Sequence, residues 1–153
     1  MLRVDSATTL LHHVGREIGS SRPYLLDQRR IDKFAHITED AQWIHVDTER
    51  ARGSVLGTTV AHGYLTLAMV PAILADVLSV GNVESILNYG LNRVRFPAMV
   101  RSGSSVRGVV RVVSAEMHGL DVRVEYEVTI SVDNSERPCC VAQPVVLYVT
   151  PKP

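Results

Sequence analysis

Two kinds of hydrophobic spacing divide this chain near Gly81. Beyond that glycine, apolar and polar residues alternate. The clearest case is "LDVRVEYEVTI", where Val122, Val124, Tyr126, Val128 and Ile130 share one face and Arg123, Glu125, Glu127 and Thr129 the other. Such alternation predicts a half-buried strand. "VESILNYG", "LNRVRF", "SVRGVVRVV" and "CVAQPVVLYV" also read as strands, with turns at "MHGLD" and "DNSERP". Before Gly81 the spacing is mostly helical. "DSATTLLHHVG" opens on N-cap residues and ends at Gly15, which predicts a short helix, and "RPYLLD" reads as a short strand. Asp27 can cap a helix over "QRRIDKFAHIT", in which Ile31, Phe34, Ala35 and Thr38 form one stripe. The polar stretch that follows reads as a loop, with one helical turn over "DTERA" capped by Asp47. Val60 to Leu78 predicts one central helix, apolar on nearly every face and therefore surrounded by protein. Pro71 should bend it, because proline removes a helical hydrogen bond.

Helices first and an antiparallel meander afterwards predict an α+β domain whose sheet wraps one long helix. A single sheet of this size leaves part of so apolar a helix uncovered. A homodimer that extends the sheet is therefore expected.

Composition narrows the classes. At 153 residues, the span 1–153 is expected to form one domain with a sizeable core. The charged fraction is 21% and the formal net charge zero, so no overall field draws in nucleic acid or an anionic membrane. The charged N-terminal stretch does not read as a secretory signal. Val60 to Val80, the best candidate for a membrane span, is interrupted by His62, Pro71 and Asp76 and suits a core helix better. Cys139 and Cys140 are adjacent in a strand-like segment, where their side chains should point to opposite faces. They read as reduced residues of a cytoplasmic protein, and no ligand spacing suggests a metal.

Candidate chemistry lies in "ITEDAQWIHVDTERA" and in the His62–Gly63 step. Asp40 alone is an ordinary loop residue, and His45 alone an ordinary packing residue. Together across a turn, with Trp43 between them to exclude solvent, a carboxylate and an imidazole can converge on one water as an acid–base pair. Gly63 falls in the first turn of the central helix, where backbone N–H groups lack helical partners. An amide there can stabilise the charge gained by a carbonyl oxygen. Its bland alternative is close packing of helix on strand.

With Phe34, Thr38-Glu39-Asp40, His45 and His62-Gly63 in place, the chain resembles the MaoC-like (R)-specific enoyl-CoA hydratases, in particular the nodulation-protein-N-like branch. The likeness is clear from about Gln28 to Gly108. It implies a hot-dog fold, a dimer, and hydration of trans-2-enoyl-CoA to (R)-3-hydroxyacyl-CoA, reversible as a 3-hydroxyacyl-thioester dehydratase. It also implies Asp40 and His45 as the catalytic pair and the Gly63 amide as the thioester-oxygen site. The sequence departs from the family pattern at Glu39, often Gly; at Gln42-Trp43, often Asn-Pro; and at Pro71, where some members carry Ser. Gln42 can still orient Asp40 through its amide, while Trp43 should reshape the acyl entrance.

Around the pair, His62, Tyr64, Asn88, Tyr89 and Asn92 are further candidates for substrate contact. No acidic residue lies between Glu84 and Glu116, whereas Arg93, Arg95, Arg101, Arg107 and Arg111 do. This basic run could meet CoA phosphates, Arg93 and Arg95 foremost, or form a solvated strand face. The expected partner is thus an acyl-CoA or acyl-carrier thioester, with no separate cofactor because CoA is part of the substrate, and no metal. A hot-dog thioesterase and a non-catalytic acyl-thioester binding module are the alternatives.

Overall fold

The computed structural model describes residues 1–133 and 135–152; Asn134, in the predicted "DNSERP" turn, lies outside them. The chain begins with β1 (Leu2–Val4), a 3-10 turn over Ala7–His13, β2 (Glu17–Ser20) and β3 (Tyr24–Leu26). Helices α1 (Gln28–Thr38), α2 (Trp43–Val46), α3 (Thr48–Arg52), α4 (Gly63–Ala68) and α5 (Val70–Val77) follow. The rest is β4 (Leu78–Val80), β5 (Ser85–Arg95), β6 (Ser104–His118), β7 (Asp121–Val132) and β8 (Cys140–Val149).

The main sheet runs β2-β6-β7-β8-β5, with β3 also paired to β6. Its pairings are antiparallel. The α+β class is as expected, with the sheet curved around α4 and α5. Val122, Val124, Tyr126, Val128 and Ile130 are all fully buried, so the alternation along β7 gave its inner face correctly. They pack with Ile73 and Val77 of α5 and Leu65 of α4 in one core. Helix and sheet meet closely at Gly108: a Cβ there would lie 2.6 Å from Ile73 Cγ2.

Asp27 caps α1, its carboxylate accepting from the Arg30 N–H at 2.9 Å, and Asp47 does the same for Arg50 at 2.9 Å. Thr38, placed on the buried stripe from sequence, is instead exposed and donates to the Phe34 carbonyl at 2.7 Å.

Several expectations need correction. The predicted helix over Val60 to Leu78 is two short helices that break at Met69. Pro71 sits in the first turn of α5, where its missing N–H would have had no helical partner, so it starts a helix rather than bending one. Leu78 already belongs to β4, which pairs in parallel with β1. "VESILNYG" and "LNRVRF" are one strand, β5, with register shifts at Asn88/Gly90 and Leu91/Val94. A bulged strand breaks the period of two locally and mimics a strand end.

Strand β5 lies at the edge of the main sheet and is exposed almost throughout. Ile86, Leu87, Tyr89 and Leu91 are each 46–54% exposed. Between β5 and the helices runs an apolar groove of about 500 Å³, lined by Pro71, Leu74, Leu78 and Ile86 among others. This is the uncovered flank that the apolarity of the helix implied.

Candidate active site

Helix α2 holds His45 and is itself held from several sides. The Gln42 carbonyl accepts from the His45 backbone N–H at 2.9 Å, closing its first turn. Gln28, the first residue of α1, donates through Nε2 to the His45 carbonyl at 2.7 Å. Thr59 in turn donates to Gln28 Oε1. The Val60 N–H donates to the Ile44 carbonyl at 3.0 Å, and the Val60 carbonyl lies 2.7 Å from His45 Nδ1. The segment before α4 is therefore laced to α2 through both the N–H and the carbonyl of one residue, Val60.

These contacts determine protonation. A carbonyl only accepts, so His45 Nδ1 carries the proton and Nε2 keeps a lone pair. Burial pushes the His45 pKa below the ordinary imidazole value, partly opposed by the hydrogen bond to Val60. His62 lowers it further and Asp40 raises it. The result is a neutral imidazole able to accept a proton at Nε2.

His62 has the opposite tautomer. Its Nε2 donates to the Asp40 carbonyl at 2.9 Å and lies 3.9 Å from the Asp40 carboxylate. Its ring stacks on that of His45 with centroids 3.7 Å apart, and Phe34 packs at 5.1 Å on a tilted plane. Asp40, His45 and His62 each bring one ligand-type atom within 4.8 Å of the others. The carboxylate and imidazole expected to converge do so, with a second imidazole among them.

As a metal centre the trio fits poorly. Stacked rings direct their lone pairs along nearly parallel planes, so an ion in line with one ring lies out of line with the other.

His45 and Gly63 line one cavity of about 370 Å³ with Ile44, Thr66, Phe96 and Cys139. Gly63 begins α4, and a Cβ on it would lie 3.2 Å from the Phe96 ring. Cys139 and Cys140 are free and buried, their thiol pKa values pushed up by burial to about 11 and about 12. Neither is an activated nucleophile.

The other candidates separate. Gln42 is exposed, and among the described residues no side-chain hydrogen bond joins it to Asp40; His62 Nε2 instead reaches the Asp40 backbone carbonyl. Trp43 is half-buried and carries the Arg50 guanidinium over its ring at 4.2 Å. Tyr64 is 70% exposed and meets Phe96 edge-on. Asn88 lines the apolar groove, while Tyr89 and Asn92 line a polar depression with Ser114, Arg123 and Glu125. Arg93 and Arg95 are exposed on β5. None of these β5 residues lines the His45 cavity within one chain. Gln28, Thr59 and Phe96 escaped the sequence reading. Gln28 looked like one more polar residue at a helix start, and neither spacing nor residue type marked the others.

Comparison with known proteins is consistent with this geometry. The family model described as "MaoC like domain" matches residues 10–135. The 3-hydroxyacyl-thioester dehydratase Z of Mycobacterium tuberculosis is 41% identical over 150 residues, 97% of this chain and 99% of that protein. Nodulation protein N of Rhizobium leguminosarum bv. viciae is 41% identical over 132 residues, covering 84% of this chain and 82% of its own. The unliganded structure of the R-hydratase PhaJ1 from Pseudomonas aeruginosa superposes with a TM-score of 0.70 at 20% identity. That match covers 90% of this chain and 83% of the other and shows the shared hot-dog fold.

Proposed function

This chain belongs to the MaoC-like domain family, and we propose that it is a hydro-lyase acting on acyl thioesters. It adds water to a trans-2-enoyl thioester to give the (R)-3-hydroxyacyl thioester, or removes water in the reverse direction. The observation that carries this reading is the convergence of Asp40 and His45 within 4.8 Å, beside a cavity that His45 shares with Gly63. The 41% identity to a 3-hydroxyacyl-thioester dehydratase along nearly the whole of both chains supports it.

In the proposed reaction the Gly63 N–H donates to the thioester carbonyl oxygen and makes C3 electrophilic. A water held between Asp40 and His45 adds its oxygen to C3 and gives up a proton to the pair. The resulting enolate takes a proton at C2, so one water is added across the double bond. Conjugation with the thioester supplies the activation, so the reaction calls on no metal and no cofactor beyond the CoA or carrier of the substrate.

The proposed partner is a second copy of this chain, joined along β5. An 11-residue strand whose outer edge is unpaired among the described residues, with exposed Ile86, Leu87, Tyr89 and Leu91, is what a neighbouring strand would cover. Pairing there would also bring a second helix pair toward the apolar groove. No described helix is long and apolar enough to cross a membrane. The free, buried cysteines support a cytoplasmic setting.

The test is direct. Purified protein should bleach the conjugated-thioester absorbance of crotonyl-CoA, and Asp40→Asn and His45→Gln should each remove nearly all of that rate. Full rates in both variants would end the proposal. Release of free thiol from saturated acyl-CoA would point to a thioesterase instead.

A further inference from the structure

We infer that His62 is a positioning residue, holding Asp40 and His45 in register without touching substrate. The inference rests on the hydratase reading above and extends it to a side chain outside the reacting pair.

The His62 side chain is only 2% exposed, whereas that of Asp40 is 51% exposed. Substrate contact, its expected role from sequence, does not suit a ring so enclosed. Its neighbours explain it better. The Nε2–H fixes the Asp40 carbonyl at 2.9 Å, and so fixes the backbone from which that carboxylate projects. The ring face lies against His45 at 3.7 Å. The next residue along the chain is Gly63, so one residue meets all three parts of the site.

An ordinary core histidine would satisfy both nitrogens or give way to an apolar ring. His62 does neither: its Nδ1 is buried and has no hydrogen-bond partner among the described residues. A buried acceptor left unpaired is unfavourable, because it has given up its bond to water for nothing. Phenylalanine would fill the same space, stack on His45 and remove that penalty. What it would lose is the Nε2–H to Asp40. Retaining an imidazole there makes sense if the hydrogen bond to Asp40 matters more than the orphan nitrogen.

Two substitutions separate positioning from packing. His62→Phe keeps the flat ring and removes the donor. His62→Gln removes the ring but returns an N–H at nearly the reach of Nε2. With crotonyl-CoA as substrate and Asp40→Asn measured alongside, His62→Phe should lower kcat on the order of 10²-fold, as misplacement of a reacting group does. KM should stay within about twofold, and His62→Gln should recover most of the lost kcat. His62→Phe at the wild-type kcat, beside an inactive Asp40→Asn, overturns the positioning role and leaves the hydratase reading intact. His62→Gln as impaired as His62→Phe overturns it too. An active Asp40→Asn removes the reading beneath it, and the inference falls as well. Should His62→Phe fail to fold, His62→Gln and His62→Asn decide: asparagine at 62 is too short to reach the Asp40 carbonyl, so activity in His62→Gln alone supports positioning and equal activities overturn it.

Discussion

Gly63→Ala tests the most confined point of the site. The added methyl would sit 3.2 Å from Cδ2 and Cγ of Phe96 and 3.3 Å from Cδ1. Carbon atoms pack best about 3.5–4.0 Å apart, so the ring or the helix start must yield by a few tenths of an ångström. Phe96 is 42% exposed and can give on its solvent side, which places the stability loss toward the low end of the roughly 1–3 kcal/mol typical of overpacking. The consequence for catalysis is sharper, because any movement of α4 shifts the Gly63 N–H relative to the carbonyl it would bind. A shift of about 1 Å can slow a reaction 10²-fold; for one several times smaller we expect kcat to fall about tenfold. Crotonyl-CoA hydration gives the rate and thermal unfolding the stability. The diagnostic variant is Gly63→Ala/Phe96→Ala. If the ring transmits the perturbation, its removal should recover part of the stability, with a coupling energy of at least about 0.5 kcal/mol. Strict additivity, or a single Gly63→Ala with unchanged kcat and Tm, would refute this reasoning.

Other contacts in the fold carry expectations of the same kind. Glu39 adopts φ 59° and ψ 18°, a left-handed conformation that glycine occupies without steric penalty. Glu39→Gly should therefore stabilise the fold by about 1 kcal/mol and raise Tm by about 2–4 °C; an unchanged or lower Tm contradicts this. Gly108→Ala would drive a methyl into Ile73 at 2.6 Å and should destabilise by about 1–3 kcal/mol, with Ile73→Val giving partial relief in denaturant titrations. Because the folded-state pKa of His45 is lowered, the unfolded chain binds this proton at higher pH than the native one. Stability from neutral His45 is complete above the ordinary imidazole value and declines as pH falls toward the lowered one. Wild-type protein should thus lose more stability on acidification through that window than His45→Gln, and equal slopes would show that His45 is not the linked group. Leu91→Asp, placing a charge on the exposed β5 edge, should convert a dimer into a monomer by light scattering; a monomeric wild type would remove the proposed interface.

Much of this architecture could be read from residue spacing, and the failures have identifiable causes. The face of β7 was plain because Val122 to Ile130 alternate without interruption. Asp27 and Asp47 announced their helices because capping is a local interaction between a side chain and an amide three residues on. Helix α2 left no trace, since four residues are too few to show a period. Strands β1 and β4 were missed because three-residue strands owe their existence to each other across the fold. The break at Met69 was hidden by apolar residues on both sides, and Pro71 was assigned to the middle of a helix whose first turn it occupies. At the site, Asp40, His45 and Gly63 were found through their motif. The work of Gln28, Thr59 and His62 was invisible, because it lies in contacts 17 to 31 residues apart along the chain.

The contact between Gly108 and Ile73 also limits how this molecule can change. Where Ile73 of α5 meets the sheet there is no space for even one more methyl, so that point must keep its dimensions. The opposite flank, where Pro71 and Leu74 face β5 across open space, carries no such limit. Substitutions that enlarge a side chain are accordingly better tolerated along this groove than at the Gly108 contact with β6.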